Sequence, residues 1–71
     1  MQWNKLIKDR RKSIGITQEQ LADVADISLS YLKLIEQGKT NPTLQVIEKI
    51  LDCLGMELSV NLKTSSLPYT E

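Results

Sequence analysis

Thr17-Gln18-Glu19-Gln20-Leu21-Ala22-Asp23-Val24-Ala25-Asp26-Ile27-Ser28-Leu29-Ser30-Tyr31-Leu32-Lys33-Leu34-Ile35-Glu36-Gln37-Gly38 holds two helix starts and two helix stops in close succession. Thr17 has the character of an N-cap, because its hydroxyl can accept from a free first-turn N–H. Gln20, three residues on, can reach back and complete a capping box. The helix that follows covers residues 18–24 and should bury Leu21 and Ala25. Ala25-Asp26-Ile27 turns the chain, and Ser28 caps a second helix over residues 29–37 that should bury Leu32 and Ile35. Gly38 closes it, as glycine does just past a helix end. Small Ala22 lets the two helices approach, and apolar Ile27 plugs the turn between them.

Outward from this pair the pattern stays helical on both sides. Residues 2–14 place Trp3, Leu6, Ile7 and Ile14 on one arc and Lys5, Lys8 and Lys12 on the other, which reads as a solvated face. Arg10 falls within the apolar arc, where it should snorkel along its stem or meet a carboxylate. Gly15 ends this helix. Asn41-Pro42-Thr43 is a loop with a third cap, Thr43, and a helix over 44–54 follows with Leu44, Ile47, Ile50, Leu51 and Leu54 as its stripe. Cys53 lies beside that stripe and reads as a packed thiol. After Gly55 the period changes from 3.6 to 2. Met56, Leu58, Val60 and Leu62 alternate with Glu57, Ser59, Asn61 and Lys63, as in a half-buried strand. The chain thus divides into a helical domain over 1–55, a strand over 56–63 and a disordered tail over 64–71.

Composition narrows the function. The chain has 71 residues, 41% apolar and 25% charged, with one cysteine and no histidine. A domain this small buries only about 60% of its unfolded surface. An internal disulfide and a zinc site are both excluded, so a second copy of the chain is the expected source of extra stability. No catalytic constellation, phosphate loop or metal cluster is present, and neither an enzyme nor a cofactor is expected. No apolar run spans a membrane and no signal peptide opens the chain, which leaves a cytoplasmic protein. Net charge is zero, but residues 1–41 carry seven basic groups against five acidic, so the N-terminal part permits an anionic partner.

The lone strand has no partner within the chain. Its open edge would pair antiparallel with the same strand of a second subunit about a two-fold axis. Burying Met56, Leu58, Val60 and Leu62 would contribute roughly 1.5–3 kcal/mol each before entropy is subtracted. Two short helices joined by a tight turn form a helix-turn-helix, whose second helix fits the major groove, where each base pair shows a distinct hydrogen-bonding pattern. A two-fold dimer would set two such helices about 34 Å apart on an inverted repeat.

A family resemblance adds to this. Thr17-Gln18-Glu19-Gln20-Leu21-Ala22, Ile27-Ser28, Tyr31-Leu32, Ile35-Glu36-Gln37-Gly38-Lys39, Asn41-Pro42-Thr43 and Leu54-Gly55 resemble the phage-repressor (Cro/CI, or Xre) helix-turn-helix family over residues 5–55. The resemblance implies an all-α, lambda-repressor-like domain of four helices, here with one C-terminal β-strand pairing across a homodimer. It implies a phosphate contact at Gln18, and contacts to bases or the groove wall at Ser28, Leu29, Ser30, Lys33 and Leu34. It implies backbone contacts at Gln37, Lys39 and Thr40, and a structural ion pair between Arg11 and Glu36. Tyr31 is expected to pack its ring and to offer its hydroxyl to a phosphate. Asp26 stands where many members have glycine, and Leu29 and Leu34 stand where polar residues are common. These leucines can touch a thymine methyl but cannot hydrogen-bond a base.

Gly55-Met56-Glu57-Leu58-Ser59-Val60 resembles the narrower group of HipB-type antitoxins, which end in a strand. That resemblance implies a repressor of its own operon, with double-stranded operator DNA and a HipA-type kinase toxin as partners. Two rivals stand beside it. One is a phage-type or restriction-modification regulator without a toxin. The other is a toxin-holding module whose DNA binding is incidental.

Overall fold

The structure, a computed structural model, describes residues 3–59. Four helices follow one another: α1 (Trp3–Ile14), α2 (Gln18–Ala25), α3 (Leu29–Glu36) and α4 (Leu44–Cys53). α1 packs on α3 and α4, and α2 packs on the same two helices. The core they enclose consists of Ile7, Leu21, Ala22, Ala25, Leu32, Ile35, Ile47, Ile50, Leu51 and Leu54. Trp3, Leu6, Ile16 and Ile27 pack against it at its margin.

Local chemistry sets the helix boundaries. The Thr17 hydroxyl accepts from the Gln20 N–H at 3.0 Å, and the Thr17 N–H donates to Gln20 Oε1 at 2.8 Å. Ser28 Oγ accepts from the Tyr31 N–H at 3.0 Å, and Thr43 Oγ1 from the Val46 N–H at 3.2 Å. All four C-terminal ends close alike, through a residue with positive φ: Gly15, Asp26, Gly38 and Gly55. In each case the next N–H reaches back to a carbonyl five residues earlier, as when Ile27 donates to Ala22 O at 3.0 Å and Lys39 to Leu34 O at 2.9 Å. This satisfies carbonyls that the helix itself leaves unpaired.

Two apolar positions differ from the periodic reading. Ile14 is 45% exposed and Leu44 is 59% exposed. Both sit at helix termini, where the apolar stripe runs past the edge of the neighbouring helices. In α1 the inward position one turn before the end belongs to Arg11, which is 8% exposed. Among the described residues Arg10 meets a backbone carbonyl and no carboxylate. Its Nε donates to Leu54 O at 3.0 Å, which places a cation on the C-terminal carbonyls of α4.

After Gly55 the chain lies back on the core. Met56 and Leu58 are half-buried against it, while Glu57 and Ser59 are exposed. Among the described residues there is no strand, and 56–59 has no regular secondary structure. A strand is defined by a hydrogen-bonded neighbour, and the expected neighbour belongs to another chain. The rest of the expected strand, with Val60 and Leu62, and the tail over 64–71 lie outside the described residues. Among the described residues no helix is long and apolar enough to cross a membrane.

Candidate nucleic-acid interface

α3 divides its residues between two faces. Leu32, Ile35 and Glu36 are buried, and Leu29 and Tyr31 are half-buried. Ser30, Lys33, Leu34 and Gln37 are exposed. The inward residues fix the helix to α1 and α2, and the outward set is left to meet a partner. Ser28, also exposed, already commits its hydroxyl as an acceptor to the cap of α3. Its O–H can still donate, and a second lone pair can still accept.

The start of α2 adjoins this outward face. Thr17, Gln18 and Glu19 from α2 line an open cleft with Leu29 and Lys33 from α3. The capping box satisfies the N–H groups of Thr17 and Gln20. Those of Gln18 and Glu19 have no intrahelical acceptor, so they are donors suited to a phosphate at a helix N-terminus. Glu19, in the same cleft, is a residue sequence reasoning left out. Its charge favours the helix N-terminus but opposes an approaching anion. Lys33 supplies the compensating cation across the cleft.

The structure does not gather all the expected site residues in one place. Gln18, Leu29 and Lys33 share the cleft. Lys39 is exposed beyond the end of α3. Thr40 is half-buried and lines a different hollow, with Trp3, Asn4, Ile35, Gly38, Asn41 and Pro42. Lys5, Lys8 and Lys12 are all exposed on α1.

Behind the interface lies a buried polar knot. Arg11 Nε donates to Glu36 Oε2 at 2.8 Å, and Arg11 Nη2 donates to Glu36 Oε1 at 3.0 Å. Arg11 Nη1 donates to Ile16 O at 2.9 Å. The hydrogen bond to Glu36 holds the guanidinium pKa above its usual value, against the opposing effect of burial. Glu36 also accepts from Gln18 Nε2, at 3.1 Å on Oε1. Among the described residues no buried side-chain nitrogen or oxygen lacks a partner. The Gln18–Glu36 bond had no signal in the sequence, since its partners lie on different helices and outside any local motif.

Two capped helices crossing at a tight turn, the second with its outer face bare, define a helix-turn-helix protein. The chain belongs to that family, and within it to the phage-repressor (Cro/CI, Xre) type. The family model described as Helix-turn-helix matches residues 7–61. The chain is 43% identical over 53 residues to the immunity repressor protein of Bacillus phage phi105, covering 75% of this chain and 37% of that protein. It is 41% identical over 56 residues to the control protein C.MunI of a Mycoplasma species, covering 79% and 76% of the two chains. It is 38% identical over 58 residues to the CTXphi transcriptional repressor RstR of Vibrio cholerae, covering 82% and 52%. The chain therefore spans about half or less of the two repressors' length and most of the control protein's.

Proposed function

We propose that this chain is a sequence-specific DNA-binding transcriptional regulator that binds an inverted-repeat operator as a two-fold dimer and represses its own operon in the cytoplasm. The observation that carries the reading is the bare outer face of α3, with Ser30, Lys33, Leu34 and Gln37 exposed opposite a fully packed inner face. Relatives named as repressors support it. Gln18, Ser28, Leu29, Tyr31, Lys39 and Thr40 complete the proposed contact set, with Gln18 and the first-turn N–H groups of α2 on a phosphate. The proposed dimer contact runs through Met56, Leu58, Val60 and Leu62. The half-buried, exposed alternation of Met56, Glu57, Leu58 and Ser59 favours it.

The test is binding to the DNA upstream of its own gene, measured against salt and against random DNA. Specific affinity should fall steeply as salt rises, in proportion to the phosphates neutralised. Lys33→Ala should weaken binding and reduce the salt slope by about 1 per subunit. Equal affinity for operator and random DNA would refute the reading. Val60→Pro should break strand pairing and lower dimer affinity in sedimentation.

The finer reading is an antitoxin to a HipA-type kinase toxin, and it rests on the resemblance carried by Gly55-Met56-Glu57-Leu58-Ser59-Val60. Likeness to a control protein over most of that protein's length favours the second reading, a regulator without a toxin. The adjacent reading frame separates them. A kinase-like frame supports the antitoxin, and phage or methylase frames support the rival.

A further inference from the structure

Gln18 stands at the junction of two structures that otherwise have nothing to do with each other. On one side is the open cleft between α2 and α3, lined by Thr17, Gln18, Glu19, Leu29 and Lys33. On the other is the Arg11–Glu36 ion pair, whose side chains are 10% and 3% exposed. The Gln18 amide touches the pair through Glu36 Oε1 at 3.1 Å.

The chemistry of this contact fixes the amide's orientation. An ionised carboxylate only accepts, so it must face the amide nitrogen and would repel the amide oxygen. Arg11 keeps the carboxylate in place from the far side with two hydrogen bonds. One N–H of Gln18 is thereby committed inward, and the amide nitrogen retains a second. A hydrogen bond to an ionised acceptor is also generally stronger than one to a neutral acceptor. A glutamine side chain otherwise rotates through many rotamers and must lose that freedom when it binds. Here the loss has already been met in folding.

We infer that Glu36, braced by Arg11, is a positioning residue for DNA binding. It holds the Gln18 amide nitrogen-inward, so that the second N–H is presented to a backbone phosphate oxygen beside the N-terminus of α2. The ion pair thus acts on the interface without touching DNA. This inference rests on the DNA-binding reading given above, and its test separates the two.

The experiment uses the full chain and the DNA upstream of its own gene. Gln18→Ala is measured in the native background and in the double variant Arg11→Met with Glu36→Leu. An apolar pair of similar volume commonly preserves the stability of a buried ion pair, and urea unfolding verifies it. In the native background Gln18→Ala should weaken operator binding about tenfold. In the double variant, which has already lost the orientation, the same change should have little further effect. An equal loss in both backgrounds would overturn the inference, since Gln18 would then act without Glu36. If the double variant fails to fold, NMR of the native free protein decides instead. One of the two Gln18 Nε2 protons should be shifted from its position in a free glutamine amide and protected from exchange, while the other exchanges freely. Two Nε2 protons with the shifts and exchange rates of a solvated glutamine would overturn the inference. Native protein that does not prefer its operator over random DNA, while showing the ordered amide, would remove the DNA-binding reading instead.

Discussion

Asp26 is the one helix stop of the four that is not glycine, and replacing it measures what that departure costs. Its backbone sits at φ 56° and ψ 47°, in the left-handed region. Gly15, Gly38 and Gly55 hold the same role at φ 87°, 72° and 71°. A side chain in this conformation costs roughly 1–2 kcal/mol, with Asp among the best tolerated and so near the lower end. The carboxylate also lies at the negative end of α2, which has no basic residue in its last turn. That placement costs about 0.3–1 kcal/mol at low salt. Asp26→Gly removes both penalties but enlarges the entropy of the unfolded chain, which returns about 0.4–1 kcal/mol. The balance is a gain of about 0.5–1 kcal/mol. Asp26→Asn keeps the backbone tolerance and removes only the charge, so its smaller gain should vanish in high salt. Asp26→Ala keeps the strain and should fall below Asp26→Gly by about 1 kcal/mol. Urea unfolding by circular dichroism at one fixed protein concentration reads all three, since the midpoint of the proposed dimer would depend on concentration. In thermal melts a gain of about 1 kcal/mol corresponds to about 4–8 °C for a domain this size. Asp26→Gly unfolding at lower urea than the native chain, or Asp26→Ala unfolding at the same urea as Asp26→Gly, would refute the strain argument.

Three further changes probe other parts of the frame. Thr17→Ala removes the acceptor for the Gln20 N–H and half of the capping box, and should lower the urea midpoint by the equivalent of about 1 kcal/mol. Gly38→Ala imposes a side chain at φ 72° with its Cβ 3.2 Å from Asn4 Nδ2; stability should fall by roughly 1–2 kcal/mol. Asn4→Ala should rescue only a small part, because a side-chain end can move aside and the backbone strain cannot. The Cys53 thiol is raised above its ordinary pKa by burial and by the nearby Asp52 charge, against the opposing Lys49. A raised folded-state pKa means the folded chain holds the proton more tightly. Its stabilisation is complete below the ordinary thiol pKa and is lost as pH rises through the folded value. The urea midpoint should therefore decline from neutral to alkaline pH more steeply in the native chain than in Cys53→Ala, and parallel declines would show that the thiol makes no contribution.

What the sequence made legible follows the range of the interaction. The three caps, Thr17, Ser28 and Thr43, act within one helical turn, so a window of four residues contains the whole reason for each. The closures at Gly15, Gly38 and Gly55 are equally local, and so is the unusual stop at Asp26. Periodicity found the buried centre of each helix, with Ile7, Leu21, Leu32 and Ile47 all fully covered. It failed at Ile14 and Leu44, because a periodic pattern carries no information about where the neighbouring helix ends. Arg10 shows a different limit. Its carbonyl partner, Leu54, lies across the fold, and a backbone oxygen leaves no mark on its residue's identity.

The polar knot marks the boundary between the two kinds of knowledge. The Arg11–Glu36 pair was available only through family likeness, since nothing within either helix shows that a cation on α1 meets an acid on α3. Even so, likeness assigned the pair and Gln18 to separate roles, one structural and one at the interface. Only the three-dimensional arrangement, with Glu36 Oε1 accepting from both Arg11 and Gln18, makes them one unit. A buried ion pair is weak support for stability, since an apolar pair of equal volume often does as well. Its presence is accounted for if the carboxylate also has a task that no apolar residue performs, and aiming an amide is such a task. On this view a buried charge and an exposed helix face belong to the same device, and stability and DNA affinity should separate when the pair is replaced.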